Sequence, residues 1–172
     1  MSTSELLSES VKLPEGVKAQ LEASTLVLSG KGGKVSRSFD ARTLKMEVKG
    51  SEVVLQSVSV PMINTYKTHV MNMAKGAGEG YSVLMKTVHS HFPMSFEVKG
   101  RELLVKNFLG EKMPRHAPIA GEVKLEAKGQ EVRITGASKD DVGQTVANIK
   151  TALRIRKRDS RVFQDGLYVT EE

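Results

Sequence analysis

Apolar and polar residues alternate from Met46 to Leu55 and again from Leu125 to Ile134, each run broken near its middle by Lys-Gly and one polar residue. A period of two predicts strands whose successive side chains face opposite sides of a sheet. Gly50 and Gly129 predict tight turns between those strands, because glycine enters positive φ without a Cβ clash. The two runs are identical at five of ten positions, at a constant offset of 79 residues. Phe96 to Val105 repeats the pattern around Lys99-Gly100-Arg101, and Gln20 to Leu28 carries a looser version. Four hairpins are therefore expected, two in each half of the chain. Thr25–Leu28 and Val35–Phe39 are strand-like, and Tyr81–Val88 reads as a strand opening the second half.

After each pair of hairpins the period changes to three and four. Ile63, Tyr66, Val70 and Met73 recur at helical spacing behind Pro61, whose missing N–H is harmless in a first turn. In the second half Ser138-Lys139-Asp140-Asp141 has the form of a capping box, and Val142, Val146, Ile149 and Leu153 follow. Helices are expected near 62–75 and 139–155. The second would carry Asp140 and Asp141 in its first turn and Arg154 and Arg156 near its last, as the macrodipole favours. An offset of 79 is too long for a solenoid. The fold class expected is α+β: two tandem repeated domains, each an antiparallel β-sheet packed against one main α-helix. Residues 1–79 make the first repeat and 80–172 the second, with Gly76-Ala77-Gly78-Glu79-Gly80 as the natural junction.

Composition narrows the chemistry. Aromatics are 5% of 172 residues and Trp is absent, so Val, Leu, Ile and Met must fill the cores. With no cysteine, disulfides, thiolate metal sites and cysteine nucleophiles are excluded together. Met1 to Ser10 has neither the basic nor the apolar region of a signal peptide, and no run approaches the length of a membrane span, so a cytoplasmic protein is expected. Net charge is +6, and it gathers late: six of the twelve residues from Lys150 to Arg161 are Lys or Arg. Arg154, Arg156, Lys157, Arg158 and Arg161 fall within eight positions. Like charges packed this closely repel unless a polyanion neutralises them, and the planar Arg fork grips phosphate better than a Lys ammonium does. A short apolar segment then closes the chain, with Asp165-Gly166 as a turn folding Leu167–Val169 back onto the domain.

Two further segments carry candidate anion-binding side chains. Lys31 and Lys34 flank Gly32-Gly33, a basic hairpin loop suited to phosphate; it lacks the spacing of a Walker loop, and its setting between strands differs from the helix–loop–helix of a KH domain. Lys112, Arg115 and His116 are the polar tips of a loop stiffened by Pro114 and Pro118, a pre-organised basic contact for RNA. His89 and His91 share one face if extended, as metal pairs do, but no third ligand stands nearby. There is no nucleophile elbow, no H-E-x-x-H and no dinucleotide fingerprint, so no motif argues for catalysis. The carboxylates mostly alternate with Lys in the hairpins, as cross-strand surface pairs do. Two other readings compete with RNA binding: a protein–protein interaction module whose basic tail meets an acidic partner, and a hydrolase using the His89/His91 face.

Gly136 to Ile149, the tail Arg158 to Val169 and the loop Asn107-Phe108-Leu109-Gly110-Glu111-Lys112 resemble the large-subunit ribosomal protein six family over nearly the whole chain. Arg161-x-Phe163-x-Asp165-Gly166 is similar to the archaeal and eukaryotic branch. Thr151 stands where Gln is common, and Glu171-Glu172 replaces a usual basic end. The resemblance implies a structural protein without enzymatic activity, cofactor, membrane or small-molecule substrate. It implies rRNA contact, mostly through the second domain, beside the sarcin–ricin loop and near the base of the lateral stalk. Neighbouring large-subunit proteins are implied as partners, with translational GTPases docking nearby.

Overall fold

The computed structural model describes residues 7–89, 91–159 and 161–171, and the chain divides between Gly80 and Tyr81 into two compact units. The first unit runs β1 (Leu7–Lys12), β2 (Lys18–Glu22), β3 (Thr25–Gly30), β4 (Gly33–Ser38), β5 (Lys45–Lys49), β6 (Glu52–Ser57) and α1 (Val60–Gly78). Its strands pair antiparallel as two sheets, β1-β6-β5 and β2-β3-β4. The helix packs on β1 and β6 of one sheet and on β3 and β4 of the other. The expected alternation sends Val53, Leu55 and Ser57 of β6 inward. Ile63, Val70 and Met73 of the helix are buried against them, and Tyr66 is half-buried.

Three hairpin turns are alike. Gly50, Gly100 and Gly129 hold φ of +61°, +63° and +61°, the positive value that the first position of a two-residue turn demands. In the β2–β3 hairpin that position is Ala23, at φ +50°. Left-handed backbone costs an L-residue roughly 1–2 kcal/mol, a cost that the three glycines avoid.

The glycine-rich stretch 76–80 is not a free linker. Gly76 to Gly78 form the last turn of α1, with Gly76 and Ala77 buried, and Gly80 at φ +81° ends it. The β3–β4 turn lies against this helix end: the Gly32 N–H donates to the Ala77 carbonyl at 2.7 Å. A Cβ on Gly32 would stand 2.5 Å from the Gly76 carbonyl oxygen, and one on Gly30 would overlap the Ala77 carbonyl. The glycines of Gly30-Lys31-Gly32 therefore answer to close packing of a hairpin on a helix.

The second unit runs β7 (Tyr81–Val88), β8 (Ser95–Lys99), β9 (Glu102–Lys106), a 3-10 turn (Phe108–Gly110), β10 (Arg115–Pro118), β11 (Lys124–Lys128), β12 (Glu131–Gly136), α2 (Lys139–Ala152) and β13 (Gly166–Glu171). The sheets are β10-β9-β8 and β11-β12-β7-β13. Apart from β13 their order matches the first unit strand for strand. Ser138 caps α2 as expected, its Oγ accepting the Asp141 N–H at 3.2 Å. Val142, Val146, Ile149 and Leu153 close a core with Met85, Val105, Phe108 and Ile134. The Lys106–Glu97 pair at 2.6 Å is one of the expected cross-strand ion pairs on the outside.

Two features of the tail differ from the sequence expectation. The helix stops at Ala152, short of 155, so Arg154 and Arg156 lie beyond it in irregular chain. The carbonyls of Ala152 and Arg154 accept hydrogen bonds from Arg115. The closing apolar segment does fold back, but as a strand: β13 pairs antiparallel with β7 at the sheet edge, burying Leu167.

Candidate nucleic-acid interface

The loop before β10 is built on strained backbone. Asn107 and Leu109 hold φ of +59° and +52°, values that side chains disfavour, and Gly110 follows at +76°. Full burial of Phe108 and a hydrogen bond donated by Asn107 Nδ2 to the Pro93 carbonyl at 3.0 Å hold it there. The loop then turns outward and exposes Glu111, Lys112 and Met113.

Arg115 fastens this loop to the end of α2. Its Nε and Nη2 donate to the Glu111 carboxylate at 2.8 and 2.6 Å. Its Nη1 donates to the carbonyls of Ala152 at 2.9 Å and Arg154 at 3.0 Å. The guanidinium carbon lies 4.3 Å from the centre of the Phe108 ring. A cation placed on the last carbonyls of a helix is favoured by the macrodipole and satisfies acceptors that the helix leaves orphaned. The helix therefore ends there, and the basic segment begins from a fixed point. Arg115 is thus spent on the protein's own groups, with 22% of its side chain exposed.

Hydrogen bonding from Arg115, reinforced by the charges of Arg115 and Arg158, holds the Glu111 carboxyl below its ordinary value of 4.5. A depressed carboxylate stabilises the fold above its unfolded value and loses that contribution as pH falls through its folded value. Wild type should therefore exceed Glu111→Gln in urea-denaturation midpoint at about pH 6, and the gap should narrow as pH falls below 4.5. A constant gap across that range would show that the pair contributes geometry and no charge.

Beyond the clamp, Arg154, Arg156, Lys157, Arg158 and Arg161 are all exposed. Among the described residues no ion pair engages the side chains of Arg154, Arg156, Lys157 or Arg161. Lys157 turns the chain at φ +59°. The Arg158 guanidinium lies 4.8 Å from the centre of the Phe163 ring, and the His91 ring stacks on Phe163 at 4.7 Å. His91 Nδ1 is 3.2 Å from Oδ2 of buried Asp165. His91, one half of the suspected metal pair, thus ties down the tail; Ser90 beside it lies outside the described residues. Among the described residues no group of three or more His, Cys, Asp or Glu is placed to hold a metal.

The structure joins loop and tail and leaves the remaining candidates apart. Lys112 is exposed on the loop. His116 is exposed, with Nδ1 2.9 Å from Glu102 Oε2. Lys31 and Lys34 are exposed on the β3–β4 hairpin of the first unit.

This geometry belongs to a chain with close relatives. Residues 92–166 match the family described as Ribosomal protein L6. The chain is 39% identical to the large ribosomal subunit protein uL6 of Methanosarcina mazei, over 96% of this chain and 97% of that one. The chain belongs to the ribosomal protein L6 family. It is also 40% identical to uL6 of Methanocella arvoryzae, over 94% of this chain and 95% of the relative, and 40% identical to that of Methanobrevibacter smithii, over 95% and 94%. A member of the L6 family is a structural protein, not an enzyme. The matched stretch of the L6 family takes in the strained loop, Arg115, α2 and the basic segment. Sequence reasoning missed Phe108, Glu111, Phe163 and Asp165 as the parts that shape this surface. No local signal links Glu111 to Arg115 outside a helix, or Phe163 to His91.

Proposed function

We propose that this chain is a structural constituent of the large ribosomal subunit in the cytoplasm and holds large-subunit rRNA through its second unit. The observation that carries this reading is the exposed run Arg154–Arg161, launched from a helix end that Arg115 fixes. Arg154, Arg156, Lys157, Arg158 and Arg161 engage phosphate, with Lys112 on the adjoining loop and His116 on β10 as a second contact. Arg115 acts through them, holding loop and tail together. Lys31 and Lys34 on the first unit make a further contact of lesser weight. The RNA is the region beside the sarcin–ricin loop, close to the stalk base where translational GTPases dock, and neighbouring large-subunit proteins adjoin. Family resemblance in the loop and tail supports that location.

Binding to folded rRNA by phosphate neutralisation is salt-dependent, and each contact removed should lower the log–log salt slope by about one unit or somewhat less. Arg156→Ala with Arg158→Ala should therefore weaken rRNA binding and flatten its salt dependence together, with stability moving by about 0.5 kcal/mol or less for each exposed side chain. Lys18→Ala with Lys45→Ala removes the same charge from the first unit and should matter less. Equal losses from the two pairs would leave only diffuse attraction of a basic protein to RNA. Crosslinking in assembled subunits, with identification of the crosslinked peptides and nucleotides, tests the sarcin–ricin location directly.

A further inference from the structure

We infer that Phe92 is a stacking platform for an unpaired RNA base, a contact that rests on the rRNA-binding reading and adds base contact to its phosphate contacts. Phe92 is 44% exposed. It leans on Gly110: a Cβ built there would stand 3.3 Å from the ring Cζ and 3.5 Å from both Cε atoms. The bare backbone of Gly110 thus seats the ring from one side.

Phe92 lies where the two cationic segments approach. Gly110, beneath it, leads directly into Glu111, Lys112 and the Arg115 clamp on the end of α2. His91, its neighbour in the chain, is fastened to Phe163 and Asp165 of the tail, where Arg158 lies over the same Phe163 ring. Apolar side chains beside the other cations are exposed as well: Met113 next to Lys112 at 80%, and Val162 next to Arg161 at 61%. Cations interleaved with a seated aromatic ring match a single-stranded or bulged RNA, whose phosphates take the Arg and Lys while a splayed base lies on the ring. A continuous duplex keeps its bases stacked inside and has none to offer.

The test uses the full chain with two probes, intact archaeal large-subunit rRNA and a fully paired RNA duplex. Phe92→Leu keeps an apolar group over Gly110 but removes the π face. It should weaken rRNA binding about tenfold, as loss of one stacked base does, with an unchanged salt slope and unchanged duplex binding. Phe92→Tyr should restore rRNA binding, and Phe92→Trp should lose fluorescence on adding rRNA. Wild-type rRNA affinity in Phe92→Leu, equal losses in Phe92→Leu and Phe92→Tyr, or an equal loss on the duplex would overturn the stacking role. Those outcomes with Arg156→Ala/Arg158→Ala still impaired sink the stacking contact alone. Unchanged affinity in the arginine pair as well sinks the RNA reading beneath it.

Discussion

Gly32→Ala should lower the stability of the protein by about 1–3 kcal/mol, the usual cost of forcing a methyl into a closed contact. Nothing in the local backbone forbids alanine there, since Gly32 does not hold the positive φ seen at Gly50 or Gly80. Where backbone permits it, Gly→Ala stabilises by roughly 0.4–1 kcal/mol through the unfolded chain. The sign is decided by what a Cβ meets: the Gly76 carbonyl oxygen at 2.5 Å, the Gly80 nitrogen at 2.9 Å and the Ala77 oxygen at 3.1 Å. All three are backbone atoms of the α1 terminus, and none can swing aside as a side chain would. Relief requires the hairpin turn to retreat, and that breaks the Gly32–Ala77 hydrogen bond of 2.7 Å. Gly78→Ala supplies the opposite case: it is helical, and the nearest neighbour of its new Cβ is a Val17 methyl at 3.7 Å. That variant should be neutral or slightly stabilising. Urea denaturation of the two side by side settles it, and a stable Gly32→Ala protein would return the glycine-rich turn to the status of a flexible phosphate contact.

Arg115→Ala should cost both stability and rRNA affinity, with little change in salt slope. The guanidinium makes four hydrogen bonds, two to Glu111 and two to helix-end carbonyls. Hydrogen bonds to charged groups contribute roughly 1.5–3 kcal/mol where sheltered and less where exposed. With the side chain mostly but not wholly covered, a loss of about 2 kcal/mol is expected, since Ala152, Arg154 and Glu111 are left for water to satisfy. Arg115→Lys should recover little, because one ammonium cannot span a carboxylate and two carbonyls as the planar fork does. The RNA effect follows from geometry: without the clamp, Arg154–Arg161 no longer starts from a fixed point beside the loop. Glu111 already neutralises the Arg115 charge, so few counterions are at stake. A marked fall in the salt slope would instead make Arg115 a direct phosphate ligand.

These two residues mark where local reading stops. The hairpins around Gly50, Gly100 and Gly129, the helix phases from Ile63 and Val142, and the Ser138 cap were legible because each depends on neighbours within four residues. The basic run Arg154–Arg161 was legible for a similar reason, as charge density is a property of contiguous sequence. The roles of Gly32 and Arg115 were not. Both sit in segments whose composition suits an anion site, yet their partners lie 45 and 37 positions away, at Ala77 and Ala152.

The division follows the range of the forces involved. Periodicity, capping and turn chemistry act along a few residues of backbone, so the chain alone dictated its strands, helices, repeat and cationic tail. Which strands share a sheet, why α2 stops at Ala152, and which cations stay exposed depend on contacts between distant segments. β13 shows both at once: the Asp165-Gly166 turn marks Leu167–Val169 as an apolar segment folding back, but the open edge of β7 is what makes it a strand. Arg115 and Arg158 are the same residue type in one basic surface, and only packing makes the first a clamp on a helix end and leaves the second over an aromatic ring, facing solvent.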